Sequence, residues 1–436
     1  MHRRRLLAVS ASLAAIAGGT LPLFAAGGPA SGPIARYDMR AGTISGIGSM
    51  GAGGRPSMAT LMRGASGGGN VQHELLLRLG SSHAPTGAPQ AEHFMPDGAR
   101  LGKSVELVTP KTERAPTDEI PSSRPGERPT GRILIFWGCG EHAPPGQPVV
   151  IDLSKLSAGQ VPPGLFSGAI PRDWGPTLEN SKTFGRWPAE DGKYARPDSS
   201  LIGAHRVAGN YSPEMDFTLS HDFMAALSLS SNRNPSGSTL LSWGALPDAT
   251  GYYINLFGGK QGPGGQMGDL VMWSSAASQQ FGGGLGDWLS PGQVAPLVAN
   301  RTVLAPATTR CTVPVEVGQA APDFRMGTLT AFGPEEDFSY PPRPANPKQP
   351  WNLEWTARIR HRSTTSWMET QGMTMGTANS QGFGGGYSRG GDDEDDRGQQ
   401  GQQQQQQCKP KKHGGFGGLG GALGGVLGGG GGRSGC

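Results

Sequence analysis

The chain is poor in charge. Only 17% of its 436 residues are Asp, Glu, Lys or Arg, against roughly a quarter in an ordinary globular domain. That shortage, together with 73 glycines and 37 prolines, excludes a long coiled coil or a helical bundle. Both need Ala, Glu, Lys and Leu at helical spacing. Long apolar runs are missing too. No stretch beyond the N-terminus reaches the roughly 18 uninterrupted apolar residues that a spanning helix requires, so no integral membrane span is expected in the mature chain. Neither charge sign dominates. Lys and Arg number 38, Asp and Glu 34, and Arg3, Arg4 and Arg5 supply three of the four net positive charges. A balance this close to neutral predicts no nucleic-acid partner. Cysteine is scarce as well: Cys139, Cys311, Cys408 and Cys436 are the four.

What is present begins with an export signature. His2 and Arg3 to Arg5 form a basic start, Leu6 to Ile16 a short Leu/Ala-rich run, and Ala25 to Ala30 a small-residue stretch. Gly18, Gly19 and Pro22 interrupt the apolar run, so residues 1–26 read as a secretory signal peptide and not as a spanning helix. Arg3-Arg4-Arg5-Leu6-Leu7 also resembles a twin-arginine signal. The chain is therefore expected to be exported, to the periplasm, the cell surface or the outside. In an oxidising compartment Cys139 and Cys311 can form a disulfide. Cys408 and Cys436 bracket the tail and can pair with each other, pair with another chain or stay reduced.

The body of the sequence alternates. Val71, His73, Leu75, Leu77 and Leu79 face one way with Gln72, Glu74, Leu76 and Arg78 between them, the period-two signature of a half-buried strand. Ile133 to Trp137 and Val149 to Leu153 are short apolar runs that suit buried strands. Phe223 to Leu229, Thr239 to Trp243, Tyr252 to Phe257, Val271 to Ser274 and Thr312 to Val317 continue the pattern. Leu353, Trp355, Ala357 and Ile359 alternate with Thr356, Arg358, Arg360 and Arg362. Short strands separated by turn signals predict a mainly β fold. The expected organisation is a Gly/Ser-rich segment over 27–69 with one strand, a β domain over 70–200 with long loops, and a sandwich-like β domain over 201–370. A disordered acidic, Gln- and Gly-rich tail is expected over 371–436, because such composition cannot bury enough apolar surface to offset its ordering entropy.

Leu241-Ser242-Trp243-Gly244-Ala245-Leu246-Pro247-Asp248-Ala249-Thr250-Gly251-Tyr252-Tyr253-Ile254-Asn255-Leu256 resembles the B-to-C strand region of fibronectin type III domains. In that family a strand tryptophan precedes a proline-containing turn and a tyrosine opens the next strand. The resemblance implies a β-sandwich over about 222–364 and a binding or spacer role. It carries no catalytic residue and names no ligand.

Motifs of known chemistry are incomplete. Gly46-Ile47-Gly48-Ser49-Met50-Gly51 has the dinucleotide-loop spacing without the helix and acidic residue that must follow. Gly64-Ala65-Ser66-Gly67-Gly68 has the nucleophile-elbow spacing without its strand and helix. His205 and His221 could join a triad, but no spacing selects them. Cys139-Gly140-Glu141-His142 gathers thiol, carboxylate and imidazole at a strand end; a zinc site needs three or four ligands and no second pair has matching spacing, so no metal site is expected, Cys139 and His142 being the candidate ligands, and no cofactor is expected. Arg358, Arg360 and Arg362 form a comb on one strand face that could grip oxyanions; a solvated outer face is the plainer reading. Trp174, Trp187 and Trp288 lie among loop residues and are candidate sugar-stacking rings, though packing under loops is the commoner fate of tryptophan. Repeated Gly-x-x-x-Gly from Gly417 to Gly429 allows self-association or surface adhesion through the tail. Together these features predict a non-catalytic structural or binding protein of the cell envelope or extracellular surface, with a polysaccharide or protein partner. A secreted hydrolase acting on glycans is the alternative, since paired carboxylates can come from distant strands.

Overall fold

In a computed structural model the chain is mainly β. The structure describes residues 32–50, 71–110, 131–346, 349–370 and 373–375, apart from 158–159, 161–164, 166–174, 191–192, 262–266 and 283. The signal-like start, Gly64 to Gly68, Trp174, Cys408, Cys436 and almost all of the tail lie outside the described residues.

The strands are β1 (Ala35–Gly46), β2 (Gln72–Ser81), β3 (Ala91–Phe94), β4 (Ser104–Glu106), β5 (Arg132–Trp137), β6 (Val149–Asp152), β7 (Thr183–Trp187), β8 (Gly203–Gly209) and β9 (Met215–Leu219). They continue with β10 (Leu229–Arg233), β11 (Thr239–Trp243), β12 (Gly251–Gln261), β13 (Met267–Ser274), β14 (Arg310–Val313), β15 (Phe324–Tyr340), β16 (Trp355–Thr370) and β17 (Met373–Met375). One ten-stranded sheet runs β6-β5-β13-β12-β15-β16-β1-β2-β7, with β17 added to β16. Its pairs are antiparallel except β1 with β16 and β13 with β5, which are parallel.

Two smaller sheets pack on one face of this main sheet. The first, β4-β3-β8-β9, covers Tyr37, Met39, Leu75, Leu77, Leu79, Ala357 and Ile359 with Val105, Val207, Met215 and Phe217. The second, β10-β11-β14, covers Ile254, Leu256, Val271, Leu329 and Trp367 with Leu229, Leu241, Trp243 and Val313. Trp243 and Tyr252 meet across the layers, ring centroids 5.5 Å apart. Between the two small sheets the chain crosses through residues 220–228. Thr43 Oγ1 donates to the Met224 carbonyl at 2.6 Å and Ser45 Oγ to that of Leu227 at 2.7 Å.

Three expectations change. The main sheet takes β1, β2, β5, β6 and β7 from before residue 200 and β12, β13, β15 and β16 from after it, so that boundary does not separate two sheets. Phe223 to Ser228 form no strand; strand structure begins at Leu229, because Phe223 and Leu227 fill different cores as the chain crosses. After Val313 the chain turns at Pro314 into the helix Val315–Ala320, where a continuing strand was expected. Gly46 closes β1 at φ +68°, and a Cβ there would stand 2.2 Å from the Ser366 carbonyl oxygen. The spacing of Gly46 to Gly51 thus begins with a strand end and a 3₁₀ turn, Ile47–Met50, and not with a phosphate-binding helix.

Candidate functional site

The outer face of the main sheet is where the arginine row lies. Period-two alternation sends Ala357 and Ile359 inward and Arg358, Arg360 and Arg362 outward. Register then decides what faces them. Arg358 lies beside Asp38 on β1 and Asp337 on β15; Arg360 lies beside Arg40 and Glu335; Arg362 lies beside Gly42, which in turn faces Glu74 on β2.

Asp38 is the centre of this arrangement. It is 1% exposed. Its carboxylate accepts from Arg40 Nε at 2.8 Å, from Arg358 Nε at 3.1 Å and from Arg360 Nη2 at 2.9 and 3.0 Å. A buried carboxylate keeps its charge only where donors satisfy it this fully. Arg360, also 1% exposed, donates in addition to the Trp288 carbonyl. Arg362 Nη2 donates to Glu74 Oε2 at 2.9 Å and Nη1 to the Gly286 carbonyl at 2.8 Å. Its guanidinium lies 4.0 Å from the centre of the Trp288 ring, a cation–π contact. Gly42 makes room for this stack, since a Cβ there would stand 2.9 Å from the Trp288 ring.

Two further carboxyls complete the lattice. Glu335 is pushed up to about 7, first by burial and next by the charge of Asp337, against the pull of Arg358 and Arg360. Burial also raises Asp337, which Arg358 and a hydrogen bond from Glu335 partly offset. A β-bulge between Phe332 and Glu335 sets both on this face.

The arginines therefore do share a face, but that face is neither a solvated surface nor an open comb. Side-chain exposure is 25% at Arg358, 1% at Arg360 and 17% at Arg362, and carboxylates on neighbouring strands already occupy their forks. Trp187 is buried at the end of β7, in the first core. Trp288 is buried against Gly42 and Arg362. Neither presents a ring face to solvent for a sugar. Beside the lattice, a groove along β12 and β13 is lined by Asn255, Phe257, Met272, Gln280, Phe281 and Gly284.

Cys139 and Cys311 form a disulfide, with Cα atoms 5.2 Å apart at a sequence separation of 172. It ties the loop after β5 to β14, and so joins the main sheet to the three-stranded sheet. His142 Nδ1 lies 3.0 Å from Glu316 Oε1, whose other oxygen accepts the Ala143 amide at 2.9 Å. Among the described residues no cluster of three or more His, Cys, Asp or Glu side chains could hold a metal. With its sulfur in the disulfide, Cys139 is not available as a ligand beside His142.

Ser220, His221 and Glu336 do come together. Ser220 Oγ donates to Glu336 Oε2 at 2.8 Å and lies 3.2 Å from His221 Nδ1. The Ser220 and His221 amides donate to the same carboxylate. A hydroxyl has one proton, and here it goes to the carboxylate. The imidazole is thus not placed to deprotonate the serine, and the cluster anchors the chain after β9 to β15.

Sequence reasoning missed Asp38, Glu74, Glu335 and Asp337. The available signal was a set of acidic residues inside strand-like stretches, where each needs a cationic partner. No protein-family model matches the chain, and no curated protein or solved structure matches it.

Proposed function

We propose that this chain is an exported, non-catalytic β protein that acts as a structural or binding module of the cell envelope or extracellular surface. The observation that carries the reading is the Cys139–Cys311 bond. Disulfides persist in oxidising compartments, and this one agrees with the signal-like start. Further support comes from the breadth of the main sheet, covered on one face by two smaller sheets and tied on the other, across β15, β16, β1 and β2, by the Asp38 lattice. The fibronectin-like stretch fits a sandwich in which β11 and β12 lie in opposing layers.

The test is co-sedimentation of the mature protein with isolated envelopes, with and without residues 371–436. Pelleting is the expected result. Loss of pelleting on removal of 371–436 would make that segment the adhesive; retention would place the binding surface on the β body. If neither form pellets, the envelope reading fails.

One observation favours a second reading, a secreted hydrolase acting on glycans. Glu335 has the near-neutral character of a general acid beside a second carboxyl, Asp337. Hydrolysis of polysaccharide that Glu335→Gln abolishes without unfolding the protein would replace the structural reading with this one.

A further inference from the structure

Tyr37, His93 and His205 play no part in the lattice or the groove. They form a buried chain of hydrogen bonds between the main sheet and the four-stranded sheet. Tyr37 Oη on β1 lies 2.5 Å from His93 Nδ1 on β3; His93 Nε2 lies 2.9 Å from His205 Nδ1 on β8; His205 Nε2 lies 2.7 Å from the Leu201 carbonyl oxygen. His93 is 0% exposed and His205 2%.

The last link fixes every proton. A carbonyl oxygen can only accept, so His205 Nε2 carries a hydrogen, and in the neutral ring Nδ1 is then an acceptor. His93 Nε2 must then donate to it, which leaves His93 Nδ1 to accept from the Tyr37 hydroxyl. All three groups are neutral and each donor has one acceptor. A second proton on either ring leaves one donor of the chain without an acceptor. On His205 Nδ1 it would face the His93 N–H, or, with that hydrogen moved to His93 Nδ1, it would strand the proton of the Tyr37 hydroxyl. On His93 Nδ1 it would face the Tyr37 hydroxyl and strand that hydroxyl's own proton.

The surroundings reinforce this. Phe217 on β9 stacks on His205 with centroids 5.5 Å apart, and Phe338 on β15 stacks on Phe217. Glu336 on β15 favours a charged His205, as does the Leu201 carbonyl, but burial outweighs both and holds its imidazole low. Burial, then His205, holds His93 well below the ordinary value. Burial, then Asp38 from the outer face of β1, holds the Tyr37 proton on.

We propose that the Tyr37–His93–His205 chain is an acid-operated latch: mild acidification detaches the four-stranded sheet from the main sheet while the disulfide-tied half stays folded. The imidazoles take up protons only by leaving the interface. Freed rings titrate near 6.5, so between pH 7.5 and pH 5 each favours opening by about 30-fold and the pair by about 10³-fold.

Hydrogen exchange read by mass spectrometry on the full chain tests this, with intrinsic exchange rates divided out at each pH. Peptides spanning 91–107 and 203–219 should lose protection by up to about 10³-fold between pH 7.5 and pH 5. Peptides spanning 239–243 and 310–313 should change far less. In the double variant His93→Gln, His205→Gln, each amide can accept and donate as the neutral ring does, without titrating in this range. It should abolish the loss, and His73 and His361 remain to titrate as internal controls. Equal protection of the wild type at both pH values, or equal opening of the double variant in acid, would overturn the proposal. Should the double variant fail to fold, nitrogen-15 NMR of the wild-type histidines decides. Both rings should be neutral Nε2–H tautomers at pH 7.5. A protonated His93 or His205 in the closed protein at pH 5 would overturn the latch.

Discussion

Replacing Asp38 with asparagine keeps the side chain's shape and removes its charge, so it isolates what the carboxylate does. The buried acid holds Arg40, Arg358 and Arg360 within 3.1 Å. Removing one partner of a buried ion pair typically costs about 3–5 kcal/mol, because the remaining charge stays desolvated. Asp38 serves three cations, of which Arg360 is as buried as the acid, so Asp38→Asn should sit at the upper end of that range. With a urea m value of about 3 kcal/mol/M for a chain of this size, the unfolding midpoint would fall by more than about 1 M. Burial limits screening, so the loss should be nearly the same at about 50 and 500 mM salt. A double-mutant cycle gives the sharper reading. Arg360→Met alone should also destabilise, yet in the Asp38→Asn background it removes a stranded cation. The two effects should then fall short of additivity by about 2 kcal/mol or more. A loss below about 1 kcal/mol for Asp38→Asn, or additivity within about 0.5 kcal/mol, would refute the view that this carboxylate organises the outer face.

Reducing the Cys139–Cys311 bond, or replacing both residues with serine, frees a segment of 172 residues; the chain-entropy model sets the loss near 5 kcal/mol, readable as a lower urea midpoint, and an unchanged midpoint would deny the bond a role in stability. Gly42→Ala puts a methyl 2.9 Å from the Trp288 ring and should cost about 1–3 kcal/mol by overpacking, with a change in tryptophan fluorescence. Glu335 is raised from its ordinary value to about 7, so the folded state binds more protons than the unfolded state between these values. Its contribution is full below about pH 4.5 and is lost as pH rises through about 7. Glu335→Gln should therefore gain stability relative to wild type as pH rises across that window, and a difference independent of pH would show that Glu335 titrates normally.

Much of the fold was legible because alternation survives wherever one strand face is buried and the other polar. β2 and β16 show this plainly: Leu75, Leu77 and Leu79, and Ala357 and Ile359, enter one core. The longest strand, β15, was not legible. Gly327 admits the Trp367 ring, which a Cβ would meet at 2.3 Å, and Gly333, Pro334 and the acidic residues after them break the period at the bulge. The same features that hide the strand carry its structural tasks. The division near residue 200 misled for a different reason. Periodicity is local, whereas the parallel pairing of β1 with β16 joins residues some 320 positions apart, and no local pattern encodes that partner.

The site was half legible for the same cause. The spacing of Arg358, Arg360 and Arg362 assigns them a common face, as observed. It does not say who sits across from them. Asp38 faces Arg358 through a parallel register and Asp337 faces it through an antiparallel one, so one arginine draws carboxylates from strands at opposite ends of the sequence. Once those pairings are known, the arginine row becomes an internal lattice whose charges are largely balanced by Asp38, Glu74, Glu335 and Asp337. An open comb and a paired lattice share the sequence pattern of one strand; they differ only in the neighbouring strands, and the energetics follow the neighbours. The low charge content of the chain fits this arrangement. A protein with few charges that spends several of them on one sheet face holds them in place by pairing, because an unpaired buried guanidinium or carboxylate costs several kcal/mol.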